Sequence, residues 1–185
     1  VNFNSHSKLP VTHAFLSPSN NSWINYDDDK LARVFRQQTV AQRGTELHAL
    51  GHDLIRLRVG LPDIPKTLNM YVNDAIGFRM TPEVLLYYSD NCYGHADAVG
   101  FRDNTLRIHD LKTGVTEAPF IQLLIYAALF CLEYKFDPRL ISIELRIYQN
   151  DDVKVVTPDP LDIIALMEKI KYFSKLIDSL RLEDS

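Results

Sequence analysis

Residues 94–112 read GHADAVGFRDNTLRIHDLK. Val99 and Phe101 stand two apart, as do Leu106 and Ile108, and this alternation predicts two strands. Arg102-Asp103-Asn104-Thr105 between them is the hairpin connection. The first strand carries Asp97. The second closes on Asp110-Leu111-Lys112, and Thr113-Gly114 stops it. Side chains at i and i+2 leave a strand on one face, so Asp110 and Lys112 point one way and Leu111 the other. Two carboxylates on paired strands, with an ammonium beside them, suit a hard cation such as Mg²⁺, which takes oxygen ligands and keeps several waters. Such an ion lowers the pKa of a bound water and polarises a phosphoryl oxygen. Taken alone, Asp110 and Lys112 also fit a surface ion pair at a strand end, an arrangement that is common and nearly neutral in energy.

The flanks supply more patterned elements. Leu47, Leu50, Leu54, Leu57 and Leu61 recur at spacings of three and four, which predicts a helix over residues 41–59 with one buried stripe. His48 adjoins that stripe, whereas Glu46 lies roughly 200° away around the helix, so the two do not easily serve one site. Asp27-Asp28-Asp29 precedes a separate helical run from Lys30 to Gln38 and suits its N-terminus. Residues 67–80 read as a helix, and Glu83 to Tyr88 as the strand before that of Asp97. Phe120 to Tyr134 has a wide apolar face and reads as a largely buried helix, with Gln122 and Tyr126 one turn apart on one edge. Leu140–Tyr148 alternates, Asn150-Asp151-Asp152 turns it, and Val153–Val156 returns. A last helix, about 161–182, has Ile163, Met167, Ile170, Phe173, Ile177 and Leu180 as its inner stripe.

This order, strands interleaved with helices, predicts a single α/β domain: a central mixed sheet with helices on both faces. Residues 1–40 form an N-terminal helical extension, 41–156 the core that carries Asp97, Asp110 and Lys112, and 157–185 the C-terminal helix. The 185 residues suffice for one substantial core, and 46% hydrophobic with 24% charged residues is ordinary globular composition. No apolar run reaches the roughly 18–20 residues that span a bilayer. Two cysteines, Cys92 and Cys131, are too few for a disulfide framework or a four-cysteine iron–sulfur cluster, and a reducing cytoplasm is the simplest setting. The net charge of −4 is unevenly spread. Residues 30–80 hold eight basic and four acidic side chains, leaving the excess negative charge elsewhere. Contact with phosphates needs only a local basic face. His48 and His52 have zinc-site spacing, but Ala49 stands where a zinc protease needs its glutamate, which excludes that protease chemistry and leaves a structural zinc as a minor alternative.

Asp97 followed by Asp110-Leu111-Lys112 resembles the PD-(D/E)XK nuclease superfamily, most of all its RecB-like and phage-exonuclease branch. Three further pieces match in order. Arg43-Gly44-Thr45-Glu46-Leu47-His48 is similar to the branch's Gly-x-x-x-His (or Glu) helix motif. Lys112-Thr113-Gly114 resembles the usual end of its catalytic strand. Gln122-Leu123-Leu124-Ile125-Tyr126 matches its Gln-x-x-x-Tyr helix.

The resemblance implies a restriction-endonuclease-like core and a divalent-metal-dependent nuclease acting on DNA, in phage or bacterial recombination, repair or processing. Mg²⁺ or Mn²⁺ is held by His48, Asp97, Asp110 and the Leu111 carbonyl. Lys112 activates the attacking water beside the catalytic Asp97 and Asp110. Gln122, Tyr126, Glu46 and Arg43 support the site or the substrate. It further implies a bacterial or phage-infected cytoplasm, a recombination or repair protein as partner, and an oligomer. Two rivals remain at this point: an RNA endonuclease of the same fold, and a catalytically silent module that binds nucleic acid or protein.

Overall fold

The computed structural model describes residues 14–183. These fall into two compact units, divided between Arg43 and Gly44. In the first, a 3₁₀ turn at Ser22–Asn25 precedes the start of helix α1 (Asp28–Leu57). Asp27 caps that helix, its Oδ1 accepting the Lys30 N–H at 2.7 Å. The Trp23 indole donates to the Ser17 carbonyl at 2.9 Å. The two helices expected over residues 30–38 and 41–59 are one, because no proline or helix-ending glycine interrupts them and the Thr39 hydroxyl bonds back onto the Phe35 carbonyl.

The second unit holds the rest of α1, α2 (Thr67–Gly77), β1 (Thr81–Ser89), β2 (Cys92–Arg102), β3 (Thr105–Leu111), α3 (Ile121–Tyr134), β4 (Ser142–Gln149), β5 (Asp152–Val156) and α4 (Pro160–Glu183). The strands form one mixed sheet in the order β1-β2-β3-β4-β5. Only β3 and β4 run parallel, joined through α3; every other neighbouring pair is antiparallel. The β2–β3 turn at Asp103-Asn104 and the β4–β5 turn at Asn150-Asp151 have positive φ at both central residues. That is the geometry of two-residue hairpins, and Asn and Asp tolerate it well.

The sheet is covered on both faces. Leu106 and Ile108 of β3 pack with Leu123, Ala127 and Ala128 of α3 and with Ile163 of α4. Ala98, Leu111 and Tyr148 pack on the other side with Ile55 of α1 and with Tyr71, Val72 and Ala75 of α2. The α/β expectation, a central mixed sheet between helices, is met.

Two amphipathic readings need correction. In α1 the leucine stripe is only part of the docking face, since Leu54 packs on the core but Leu50 is 46% and Leu57 61% exposed. The residues buried are Gly44, Gly51 and Ile55. A Cβ at Gly44 would sit 2.7 Å from the Thr113 hydroxyl, and one at Gly51 3.2 Å from the Tyr71 ring. At these two points the helix backbone lies against the Thr113 side chain and the Tyr71 ring of α2, and Leu54 packs on the α2-side core while Leu50 and Leu57 are displaced to the flanks. In α4 the inner stripe is buried only at its start. Ile163 is fully covered, but Phe173, Ile177 and Leu180 remain 46%, 38% and 48% exposed.

Asp97 marks a break in β2. Ala96 and Val99 both face the α3-side core, although they are three apart, while Ala98 faces the other core. Strict alternation would put Ala96 and Ala98 together. Opposite Asp97, between the pairs Pro82↔Ala98 and Val84↔Ala96, stands Glu83 with φ 49°. A non-glycine residue held there stores backbone strain, which gathers at functional positions. Pro82 is tolerated because β1 is an edge strand.

Candidate active site

Three elements deliver charged side chains to the C-terminal end of β3. Gly44 and Gly51 draw α1 in, and His48 lies between them at helical spacing, so its ring is carried to the sheet. His48 Nδ1 stands 3.5 Å from Asp97 Oδ2. The same Asp97 oxygen accepts the Leu111 N–H at 2.8 Å, which ties the break in β2 to the end of β3. Past that end, the Lys112 N–H still bonds the Tyr148 carbonyl at 2.9 Å and extends the ladder with β4. Lys112 therefore keeps strand geometry and points the way of Asp110. Its Nζ lies 2.9 Å from Asp110 Oδ2 and donates to Oδ1 at 3.2 Å.

Helix α3 completes the arrangement. Lys112 Nζ donates to Gln122 Oε1 at 2.8 Å, so the amine is held between a carboxylate and an amide oxygen. The Tyr126 hydroxyl, one turn on, donates to the His95 carbonyl at 2.6 Å. Gly94 admits that ring, since a Cβ there would lie 3.1 Å from Tyr126 Cε1. The Gln-x-x-x-Tyr pair thus does two jobs: Gln122 fixes the amine, and Tyr126 braces β2 two residues before Asp97.

The electrostatics are those of a partly desolvated cluster. Asp110 is only 3% exposed, and burial, then the charge of Asp97, pushes its carboxyl up to about 6 against the opposing pull of Lys112. The Lys112 ammonium is the only ion-pair partner of Asp110 among the described residues. His48 is held above the usual imidazole range, chiefly by Asp97 and further by Asp110, against the effect of its burial. Two carboxylates, an imidazole and an ammonium therefore share one field, with protons that a cation could displace.

Each expected residue can be placed. His48, Asp97, Asp110, Lys112 and Gln122 come together, and Tyr126 braces β2 from α3. The Leu111 side chain is buried in the α2-side core while its N–H serves Asp97. Glu46 is exposed on α1, and Arg43 is exposed in the preceding unit. His52 turns away from His48, with Nε2 3.8 Å from Glu83 and Nδ1 3.3 Å from Asp53.

Two contributors escaped the sequence reading. Tyr71 is 3% exposed and makes no hydrogen bond among the described residues. Burial first, then the carboxylates of Asp97 and Asp110, hold its phenol far above the ordinary range. It reads as one more apolar position of α2, and only its packing on Gly51 links it to the site. Gln149 pins the loop after Lys112, its Nε2 donating to the Gly114 and Thr116 carbonyls at 2.5 and 2.8 Å while Oε1 accepts the Ala118 N–H. Nothing local distinguishes it from any polar residue at a strand end.

Among the described residues, no group of three or more His, Cys, Asp and Glu side chains forms a ready-made metal site. The donors are engaged with one another: Asp97 with His48 and Leu111, Asp110 with Lys112. Their chemistry nevertheless suits a hard divalent cation, because two of them are carboxylates and one of these is nearly buried. No helix among the described residues is long and apolar enough to cross a membrane. No family model, curated protein or solved structure matches the chain.

Proposed function

We propose that this chain is a divalent-metal-dependent nuclease of the PD-(D/E)XK type that hydrolyses DNA phosphodiester bonds. The observation that carries the reading is the convergence of His48, Asp97, Asp110 and Lys112 from three separate elements at one end of the sheet. A structural ion pair would explain Asp110 and Lys112. It would not explain why a buried carboxylate near pKa 6 is kept beside a second carboxylate, at a cost in stability.

Asp97 and Asp110, with the Leu111 carbonyl and His48, would hold Mg²⁺ or Mn²⁺; the imidazole favours Mn²⁺. When bound, the cation supplies a water of lowered pKa and polarises the phosphate. Lys112 does the chain's own part. Held by Asp110 and Gln122, its ammonium donates to the attacking water or to a phosphate oxygen, where it offsets developing negative charge. His48 and Asp97, 3.5 Å apart, would both turn to the cation if it were bound, and the imidazole would then serve it as a neutral ligand. Tyr126 keeps β2, and so Asp97, in register with α3.

The test is digestion of labelled linear, circular and single-stranded DNA, with RNA in parallel, with and without Mn²⁺. Metal-dependent DNA cleavage that Lys112→Ala removes is expected. Cleavage of RNA alone would favour the cap-snatching type of endonuclease, and a folded protein that cleaves neither would mean a silent binding module.

A further inference from the structure

The last three turns of α4 present an apolar stripe that nothing among the described residues covers. Phe173, Leu176, Ile177 and Leu180 follow helical spacing and are 46%, 42%, 38% and 48% exposed. This is not a frayed end swinging free. Polar contacts hold it to the β1–β2 turn: Ser174 Oγ lies 2.9 Å from Ser89 Oγ, and Asn91 Nδ2 donates to the Ser174 carbonyl and to Asp178 Oδ1 at 3.1 and 2.7 Å. The face that would normally bury leucines is thus anchored by hydroxyls and an amide, and the apolar residues are turned outward beside it. A groove of about 300 Å³, lined in part by Ile125, Ile170, Phe173 and Ile177, runs along the stripe.

The charges at the two ends of the stripe identify what fits it. Lys169 precedes the stripe and lies 5.5 Å above the Phe173 ring. Glu183 follows it at the close of the helix. Among the described residues neither has an ion-pair partner, and they lie on the same side of the helix as the stripe. Glu168 and Arg181 lie off this face and pair along the helix with Lys171 and Asp178, so the stripe's own face is basic at one end and acidic at the other and complements itself when reversed.

We propose that a second copy of this chain docks here, α4 against α4 and antiparallel, about a two-fold axis between Leu176 and Ile177. In that register Phe173 faces Leu180 of the second copy, Leu176 faces Ile177, and each Lys169 lies one position from the other chain's Glu183, within reach of its side chain. The contact is short, so the dimer is a reversible one in the micromolar range. It is independent of the chemistry at β3, and a failure of either leaves the other standing.

Sedimentation velocity of the whole chain across a concentration series tests the proposal, with circular dichroism as the folding control. A monomer–dimer equilibrium is expected. Leu180→Glu, and separately Leu176→Ser, should leave the melting curve nearly unchanged and the protein monomeric. Lys169→Glu should weaken association roughly tenfold, because each charge counts twice across a two-fold axis. Lys169→Glu combined with Glu183→Lys should restore it. A monomer up to millimolar concentration, a dimer that survives both Leu180→Glu and Leu176→Ser, or a charge reversal that fails to restore association would overturn it.

Discussion

His109 and Asp110 are consecutive in β3, face opposite sides of the sheet and are both almost fully buried, at 0% and 3% exposure. Their surroundings differ. His109 is enclosed by aromatic rings: Phe78 meets it edge-on at 5.8 Å, and Tyr148 lies tilted at 5.3 Å. The guanidinium groups of Arg107 and Arg146 stack on Phe78 and cap the cluster. The Tyr148 hydroxyl gives its proton to Asp74 at 2.6 Å, so His109 Nδ1, 3.3 Å away, must be the donor to that oxygen. Burial, then the two arginines, push the imidazole down to about 3, and it stays neutral. Asp110 instead looks toward side chains that reach solvent, with Lys112 29%, His48 37% and Asp97 23% exposed. One residue is sealed into a polar network that orders the fold. The other is buried at the bottom of a cluster whose remaining members reach solvent. Burial alone does not separate structure from function here; access of the neighbours does.

The largest effect expected from this contrast is on the open side. Lys112→Ala should lower metal-dependent cleavage by about 10²–10⁴-fold while the circular dichroism spectrum and melting point stay near those of the parent. Cleavage that persists in a folded variant would remove the amine from the chemistry. On the sealed side the pattern reverses. Tyr148→Phe leaves Asp74 and His109 without their shared partner, and should cost on the order of 1–3 kcal/mol in denaturant unfolding with little change in turnover.

Smaller effects follow from pH, and the two neighbours act with opposite sign. Asp110 has a folded pKa of about 6, above its unfolded value, so its contribution to stability is complete below pH about 4 and is lost as pH rises through about 6. With metal chelated, Asp110→Asn should therefore stabilise the protein at pH 7–8, on the order of 1 kcal/mol, and abolish cleavage. An unchanged or lower stability would mean that the ion pair with Lys112 outweighs the burial penalty. His109 has a depressed folded pKa, so its contribution is complete above pH about 6.5 and is lost as pH falls toward about 3. His109→Gln should flatten that acid limb in a pH series of unfolding curves.

The same two residues show how far the sequence could be read. The strands of Asp97 and Asp110, the hairpin at Asp103-Asn104 and the pairing of Asp110 with Lys112 all follow from period-two alternation and turn chemistry, which are local. Gln122 reaches Lys112 from another element, and only the resemblance pointed to it. What was not legible depends on approach distance. The docking face of α1 is Gly44, Gly51 and Ile55, and hydrophobic periodicity cannot see glycine. Of the leucines that dominate its pattern, Leu54 packs on the core, and Leu50 and Leu57 are flanks. In α4 the expected stripe exists, but Ser174 rather than a leucine anchors its second half, so half of the stripe faces outward. The slip of alternation at Asp97 was hidden as well, because Ala96, Ala98 and Val99 give no hint of which core each joins.

Calorimetric titration of the chelator-treated protein with Mn²⁺ near pH 7, in buffers of different ionisation enthalpy, tests the shared cluster most directly. Saturable binding with net release of protons is expected, since both His48 and Asp110 hold theirs more tightly than usual. Asp97→Asn should abolish that binding. A folded parent protein that takes up no Mn²⁺, or binds it without releasing a proton, would contradict the account.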